Sequence, residues 1–201
     1  MSGPLIAVVD HGAGNLVSIG RGLERAGATV RFAARPEELD GADGVVVPGV
    51  GATATVMEGI RHAGFEDALV QTTLPLFGIC VGLQVLFEKS SEDAARCLGL
   101  LEGSVEPLEN PPTLPHIGWN EIETRSDPLF ADLPARPEVY FVHSYAPVPT
   151  NDDIVIARAS HGSRFVAAVR DGRVSGTQFH PERSGEVGLA ILRNFVRTVR
   201  S

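Results

Sequence analysis

The residues best arranged for chemistry in this sequence begin with a cysteine between two glycines. Cys80 lies in Gly78–Gln84 (GICVGLQ), where an apolar strand passes directly into an apolar helix. This pattern is typical of a nucleophile elbow, in which a sharp turn holds the nucleophile and small neighbours let chain segments pass closely. The start of a helix favours the reactive thiolate, and the backbone N–H of Val81 would be one oxyanion donor. An isolated cysteine is more often a buried structural residue, which is our interpretation of Cys97.

A cysteine nucleophile needs a base, and the base needs a group that orients it. His180 follows the apolar segment 174–179 and precedes Pro181 and Glu182, so that imidazole and carboxylate can be presented together. Glu182 would accept a hydrogen bond from one ring nitrogen and leave the other to face the sulfur. The sequence predicts solvated positions for His11, His62 and His161, and core or interface positions for His116 and His143.

Two glycine-containing turns follow predicted strands. The first, 12–14, lacks the third glycine of a dinucleotide-binding fingerprint and is weak support for a phosphate site. The second is Pro48-Gly49-Val50-Gly51. Because ligands bind at the carboxyl ends of parallel strands, this turn should share a rim with Cys80, where glycines let backbone amides approach an oxyanion. An ordinary turn between a strand and a helix is the alternative.

The elements that position these residues are of two kinds. Apolar segments at 5–9, 29–32, 45–47 and 74–79 alternate with helical patterns at 16–26 and 53–71, which predicts an α/β fold with a buried parallel sheet. From about residue 103, short strands follow one another at 117–122, 140–142, 154–159, 166–170 and 174–179, with Asp171-Gly172 as a hairpin turn. A helix bearing Leu189, Leu192, Val196 and Val199 closes the chain. We expect antiparallel strands that extend the same core within a single domain, residues 1–201.

Composition excludes several classes of protein. The 17 Lys and Arg residues against 25 Asp and Glu residues give a net charge of -8, which disfavours a protein that binds duplex nucleic acid. Two cysteines do not form a disulfide framework, and their spacing does not suggest a metal site. The apolar run 5–9 is too short for a secretory signal or a membrane span. We expect a soluble, intracellular protein with reduced thiols.

Over nearly its whole length the chain resembles the class I (triad) glutamine amidotransferases. The resemblance rests on Gly78–Gln84 and on His180-Pro181-Glu182, which match the family's elbow and its His-Pro-Glu string. The segments 48–51 (PGVG), 115–120 (PHIGWN) and 140–145 (YFVHSY) narrow it to the glutaminase subunits of imidazole glycerol phosphate synthases, enzymes of histidine biosynthesis. The implied fold is a three-layer α/β/α domain, with a parallel central sheet and an antiparallel extension.

The resemblance also implies a mechanism. Cys80 attacks the side-chain amide of glutamine, His180 protonates the departing ammonia, and water activated by His180 hydrolyses the glutamyl thioester, while Glu182 orients His180. The residues implied to stabilise the oxyanion or hold glutamine are Gly49, Val50, Gly51, Val81, Gln84, Ser144 and Tyr145. Neither a metal nor an organic cofactor is implied.

The implied partner is a (βα)8-barrel cyclase subunit, which receives the ammonia in a cytoplasmic heterodimer. The resemblance assigns Asn15, Trp119, Tyr140 and Arg183 to the interface. Core packing is the alternative for Trp119 and Tyr140, and Arg183 stands where relatives commonly carry lysine. Three alternatives remain: a glutaminase of another synthase (anthranilate or pyridoxal phosphate synthase), a stand-alone cysteine hydrolase or peptidase, and a non-catalytic interaction module.

Overall fold

A computed structural model describes residues 3–199 of the chain. Helices and short strands alternate in the first half, and strands predominate in the second. The helices are α1 (Leu16–Arg25), α2 (Thr53–His62), α3 (Phe65–Gln71), α4 (Val81–Gln84) and α5 (Gly185–Thr198). The strands are β1 (Leu5–Val9), β2 (Thr29–Ala33), β3 (Gly44–Val47), β4 (Leu76–Ile79), β5 (Lys89–Ser90), β6 (Ala95–Arg96), β7 (Gly103–Pro107), β8 (His116–Glu121), β9 (Glu123–Thr124), β10 (Glu138–His143), β11 (Tyr145–Pro149), β12 (Val155–His161), β13 (Ser163–Asp171) and β14 (Val174–Thr177).

The centre of the molecule is an eight-stranded mixed sheet in the order β2-β1-β3-β4-β14-β13-β12-β9. The strands from β2 to β14 in that order run parallel. Both β3 and β4 are buried along their whole length, because helices cover the sheet. Phe77 of β4 stacks on Phe195 of α5 with ring centroids 4.9 Å apart. The predicted α/β class is therefore confirmed.

The antiparallel extension exists but takes only part of the second half. β14 pairs in parallel with β4 on one side and antiparallel with β13 on the other, across the predicted turn at Asp171-Gly172. β12 continues the antiparallel part and has the two-residue strand β9 along its outer edge. The segments predicted at 117–122 and 140–142 do not join this sheet. They pair with each other as β8 and β10 in a separate two-stranded sheet, and β11, β7, β5 and β6 form a third sheet.

Two predicted boundaries shift for local reasons. The strand predicted from residue 74 begins at Leu76, since Pro75 has no N–H to give to a sheet. The helical pattern at 53–71 is two helices, because Gly64 adopts φ 78°, a left-handed conformation that ends one helix and begins the next. None of the described helices is long and apolar enough to cross a membrane.

Candidate active site

Cys80 occupies the junction between β4 and α4 with φ 56° and ψ -113°, and is only 2% exposed. This unusual backbone conformation turns the chain sharply at the carboxyl end of the sheet. A Cβ atom at Gly82 would lie 1.9 Å from the carbonyl oxygen of Val47, and one at Gly78 would lie 2.6 Å from the carbonyl oxygen of Gly82. The two glycines are thus required by the close approach of neighbouring backbone segments.

The helix that begins after Cys80 is much shorter than the sequence pattern suggests. α4 is a single turn, in which the N–H groups of Leu83 and Gln84 donate to the carbonyl oxygen of Cys80 at 3.0 and 3.2 Å. Because a macrodipole needs several aligned peptide units, so short a helix does little to favour a thiolate. The positive charge that would stabilise the sulfur must come from a neighbouring side chain.

His180 supplies that side chain. Its Nδ1 atom donates to Oε1 of Glu182 at 2.8 Å, and the two side chains are only 6% and 1% exposed. Burial alone lowers the pKa of His180, but hydrogen bonding to the Cys80 and Glu182 side chains, together with their charges, outweighs burial and raises this pKa to about 10. The structure thus brings Cys80, His180 and Glu182 together and favours an imidazolium beside the sulfur.

The turn that carries His180 is fixed to β10. The N–H of His180 donates to the carbonyl oxygen of Tyr140 at 2.9 Å. The hydroxyl of Ser184 donates to the carbonyl oxygen of His180 at 2.7 Å and accepts from the N–H of Tyr140 at 2.9 Å. These bonds couple the position of the imidazole to the two-stranded sheet of β8 and β10.

Gln178 is a site residue that sequence reasoning missed. Its Nε2 atom donates to Sγ of Cys80 at 3.7 Å, and its Oε1 atom accepts from Nε2 of Gln84 at 3.0 Å. Gln178 is completely buried. A polar side chain within an apolar segment that ends at a candidate base was the available signal, since buried amides need polar partners.

Cys80 and His180 line a cavity of about 280 Å³, large enough for a small amino acid. The predicted substrate residues that also line it are Val50, Gly51, Val81, Gln84, Ser144 and Tyr145. Gly49 does not line the cavity. It packs on the elbow, where a Cβ atom at Gly49 would lie 2.5 Å from the backbone nitrogen of Gly82.

Gln84 connects two walls of the cavity. Its side chain is buried, and its Nε2 atom donates both to the carbonyl oxygen of Tyr145 at 3.1 Å and to Gln178 at 3.0 Å. Both amide hydrogens are therefore committed within the protein. Gln84 holds the Tyr145 backbone against α4, and a direct bond to a ligand would have to use its Oε1 atom.

Two charged side chains at the cavity extend the predicted set. Glu92, which no sequence pattern distinguishes from the other acidic residues, lines the cavity, and its Oε2 atom accepts from the N–H and the hydroxyl of Thr53 at 2.9 and 3.0 Å. Arg183, predicted as an interface residue, also lines the cavity, and its guanidinium carbon lies 4.8 Å from the centre of the Tyr140 ring. The cavity thus offers one anion and one cation besides the triad.

The histidines predicted to be solvated behave differently from one another. His62 is exposed as predicted. The prediction for His11 is wrong: its ring is buried and its Nε2 atom donates to the carbonyl oxygen of Pro48 at 2.7 Å. His161 is only partly exposed, because its ring stacks on His116 with centroids 4.0 Å apart.

His143 and His116 form a buried pair beside the cavity. Nδ1 of His143 faces the carbonyl oxygen of Tyr145 at 2.8 Å, so this nitrogen carries the hydrogen, and Nε2 accepts from Nδ1 of His116 at 3.1 Å. Burial is the main cause that lowers the pKa of His143 to about 3 and that of His116 to about 4. Both rings are therefore neutral near pH 7, and His143 shares the Tyr145 carbonyl oxygen with Gln84 as a second donor.

The predicted interface residues are exposed, apart from Tyr140, which is partly buried. Asn15 is exposed and caps α1, where its side-chain oxygen accepts from the N–H of Ser18 at 3.2 Å. The Trp119 ring packs edge-on against the Tyr140 ring, with the ring centroids 6.1 Å apart. Because Trp119 is 56% exposed, core packing is the wrong interpretation for this residue. Ile117, two residues before Trp119 on β8, is also exposed, and we refer to Ile117, Trp119 and Tyr140 as the aromatic face. Arg183 joins the aromatic face to the cavity.

Cys97 is buried, as expected for a structural cysteine. Burial raises the pKa of its thiol to about 11, although the charge of Arg61 acts in the opposite direction. A thiol with so high a pKa remains protonated near pH 7 and is a poor nucleophile.

Comparison with known proteins places this arrangement in context. A family model described as "Glutamine amidotransferase class-I" matches residues 7–199. A protein of Synechococcus sp. (strain JA-3-3Ab), named "Imidazole glycerol phosphate synthase subunit HisH", is 47% identical over 202 residues, covering 96% of this chain and 94% of the relative. A protein of Nocardia farcinica with the same name is 46% identical over 204 residues, covering 95% and 96%.

Solved structures agree with the fold. A crystal structure described as "glutamine amidotransferase" superposes with a TM-score of 0.76 at 24% identity, covering 98% of this chain and 99% of the other. The structure of PurLQS from Thermotoga maritima gives a TM-score of 0.74 at 20% identity, with the same coverage. At such identities the likeness concerns the architecture alone.

Proposed function

We propose that this chain, which belongs to the class I glutamine amidotransferase family, hydrolyses glutamine as the glutaminase subunit of an imidazole glycerol phosphate synthase. The observation that carries the proposal is that Cys80 and His180 are buried at one cavity, with Glu182 buried behind the imidazole and bonded to it. The names of the relatives support the choice of synthase, since they are similar over nearly their full length.

In the first half of the reaction, the Cys80 thiolate attacks the side-chain amide carbon of glutamine. The His180 imidazolium gives its proton to the amide nitrogen, the carbon–nitrogen bond breaks, and ammonia leaves a glutamyl thioester on Cys80. The neutral imidazole then takes a proton from water. The resulting hydroxide attacks the thioester, glutamate leaves, and the thiolate–imidazolium pair is restored. Glu182 keeps Nδ1 of His180 protonated, so that the other ring nitrogen exchanges the proton.

The developing oxyanion would lie between the elbow and the neighbouring turn. Val81 is the first residue of α4, and the first N–H groups of a helix have no partner within it. Gly49 of the neighbouring turn packs against Val81 and Gly82, and the backbone amides of Gly49 and Val50 would be the second donor. Such donors are worth roughly 10²–10³ in kcat, because they act where charge develops.

Glutamine would be held at its amino-acid end by charges and by backbone groups. Glu92 would receive its α-ammonium, and Arg183 would receive its α-carboxylate. Ser144 and Tyr145 line the same wall, where their backbone is fixed by Gln84 and His143. The α-ammonium and the α-carboxylate of an amino acid carry charges of opposite sign, and the cavity offers a carboxylate for the first and a guanidinium for the second.

Ammonia is useful only if it reaches an acceptor before it is lost to solvent, and a subunit partnership follows from the names of the relatives. We infer that the partner is a (βα)8-barrel cyclase subunit that docks on Asn15 and the aromatic face, beside the cavity. Exposed aromatic residues with a nearby arginine are common at the centres of interfaces. Two unpaired cysteines agree with a reducing cytoplasm.

The test compares Cys80→Ala with Cys97→Ala, a matched change at the other buried cysteine. Each variant is assayed for glutamate release, alone and with the cyclase subunit of the same organism. Cys80→Ala should lose glutamine hydrolysis and retain its melting temperature, while Cys97→Ala retains turnover. The mixture is then supplied with either glutamine or ammonium salts as the nitrogen donor for imidazole glycerol phosphate. Glutamine hydrolysis by Cys80→Ala would refute the assignment of Cys80 as the nucleophile. If glutamine cannot replace ammonium salts as the nitrogen donor in the wild-type mixture, the proposed partnership is refuted.

A further inference from the structure

His11 is a buried side chain that the reaction described above does not use. It follows β1 at the carboxyl end of the sheet, and only 6% of its surface is exposed. Its Nε2 atom lies 2.7 Å from the carbonyl oxygen of Pro48. Because a carbonyl oxygen only accepts, Nε2 carries the hydrogen and donates it.

The other ring nitrogen of His11 has no hydrogen-bond partner among the described residues. A buried polar atom without a partner is unfavourable, and an apolar ring of the same size would avoid that cost. Packing alone therefore does not account for an imidazole at this position. The single bond to Pro48 is what an apolar ring could not provide.

The surrounding backbone makes room for His11. A Cβ atom at Gly59 in α2 would lie 2.2 Å from the carbonyl oxygen of His11 and 3.2 Å from its Nδ1 atom. Gly14, which follows His11 in the same loop and has φ 143°, approaches Pro48 so closely that a Cβ atom there would lie 3.1 Å from the Pro48 Cβ atom. The two glycines thus let α2 pack closely on His11 and let the loop pack closely on Pro48.

Pro48 is the residue from which the oxyanion turn begins. A peptide unit is planar, so a fixed Pro48 carbonyl also fixes the orientation of the N–H of Gly49. On its other side, Gly49 lies against Val81 and Gly82 of the elbow. The start of the turn is therefore held between His11 and the elbow, and Val50 beyond it lies at the cavity.

We propose that His11 is a positioning residue for glutamine hydrolysis, which holds the Pro48 peptide so that the following turn can present a backbone N–H to the oxyanion. This role rests on the proposed function. The oxyanion charge develops only in the transition state. Loss of the His11 hydrogen bond should therefore lower kcat and leave KM nearly unchanged. His11 also lies four residues before Asn15, so the same loop would reach both the partner and the oxyanion turn.

The experiment uses three substitutions of His11 in the complex with the cyclase subunit. His11→Gln keeps an N–H donor at the position of Nε2, and His11→Phe keeps a ring of similar size without a donor. In His11→Asn the side chain is too short for its amide to reach the carbonyl oxygen of Pro48. His62→Phe, at an exposed histidine, is the control. We expect kcat for glutamine to fall about tenfold in the Phe and Asn variants, less than for loss of a whole oxyanion donor. The Gln variant should stay within threefold of wild type, and KM within twofold throughout.

Alkylation of Cys80 by iodoacetamide separates positioning from damage, because that reaction needs the thiolate and no oxyanion site. The rate of alkylation should be the same in every His11 variant as in wild type. It is measured at a temperature at which melting curves show that the variants are folded. Should the Phe variant not fold, the Asn and Gln variants carry the comparison. Wild-type kcat in the Phe or Asn variant, a loss in the Gln variant as large as theirs, or a rise in KM alone would overturn the proposal. A wild-type complex that does not hydrolyse glutamine would instead refute the proposed function.

Discussion

Replacing Glu182 with glutamine should separate the orienting role of this residue from its charge. Oε1 of Glu182 accepts from His180 at 2.8 Å, whereas Oε2 is buried without a hydrogen-bond partner among the described residues. The amide nitrogen of the variant can take the Oε2 position and leave an oxygen to accept from the ring. The hydrogen bond then survives while the negative charge is lost.

The size of the effect follows from the pKa of His180. The rise of this pKa from 6.5 to about 10 corresponds to roughly 5 kcal/mol, at about 1.4 kcal/mol per pKa unit. Cys80 and Glu182 each contribute a hydrogen bond and a charge to this rise, and burial opposes it. If each residue supplies about half, losing the Glu182 charge removes roughly 2 kcal/mol from the imidazolium that forms as His180 takes a proton from water, which slows hydrolysis of the thioester by a factor of about 30.

The assay measures kcat for glutamine hydrolysis in the complex and titrates the His180 ring by NMR with labelled histidine. In Glu182→Gln, kcat should fall about 30-fold, and the pKa of His180 should drop by roughly 1.5 units. Glu186→Gln is the matched control, since Glu186 is exposed and pairs only at the surface with Arg25. A variant with normal kcat, or one whose ring titrates as in wild type, would show that the Glu182 charge does not sustain the imidazolium.

Three further predictions concern the elbow, the aromatic face and the buried histidines. Gly82→Ala should abolish hydrolysis and lower the melting temperature, because its Cβ would lie 1.9 Å from the Val47 carbonyl oxygen; an active, stable variant would contradict this contact. Trp119→Ala should raise the Kd for the cyclase at least tenfold, measured by calorimetry, with little change in melting temperature, and an unchanged Kd would refute the place of Trp119 in the interface. The pKa values of His143 and His116 are lowered in the folded chain, so the unfolded chain binds more protons below about pH 6.5, and the free energy of unfolding should decrease from there towards about pH 4. In urea unfolding, the free energy of His143→Gln should depend less on pH than that of wild type. An equal pH dependence in the two proteins would exclude this histidine pair as the cause of the acid destabilisation.

The elbow and the base were predictable because their signals are local. A glycine on each side of Cys80 reports how closely Val47 and the following turn approach, and the His-Pro-Glu string places ring and carboxylate within two residues. The hairpin turn at Asp171-Gly172 was predictable for the same reason. Where a few neighbouring residues fix the geometry, the pattern and the structure agree.

The remaining features depend on contacts between distant segments. His11 looked like a solvated turn residue because nothing near it in sequence shows that Pro48 lies against its ring. Glu92 and Gln178 are held at the site by contacts with segments far away in the chain, Thr53 for Glu92 and Cys80 for Gln178. The separation of β8 and β10 into their own sheet also escaped the sequence, since strand partners are not encoded in the composition of either strand.

The position of Trp119 gives the chain an optical property. It is the sole tryptophan of the sequence, and it stands in water on the aromatic face rather than in the core. Its fluorescence should therefore change little when the isolated chain unfolds and shift to the blue when a partner covers the indole. Assembly can then be followed in real time, without any dye, from light that the native polypeptide emits.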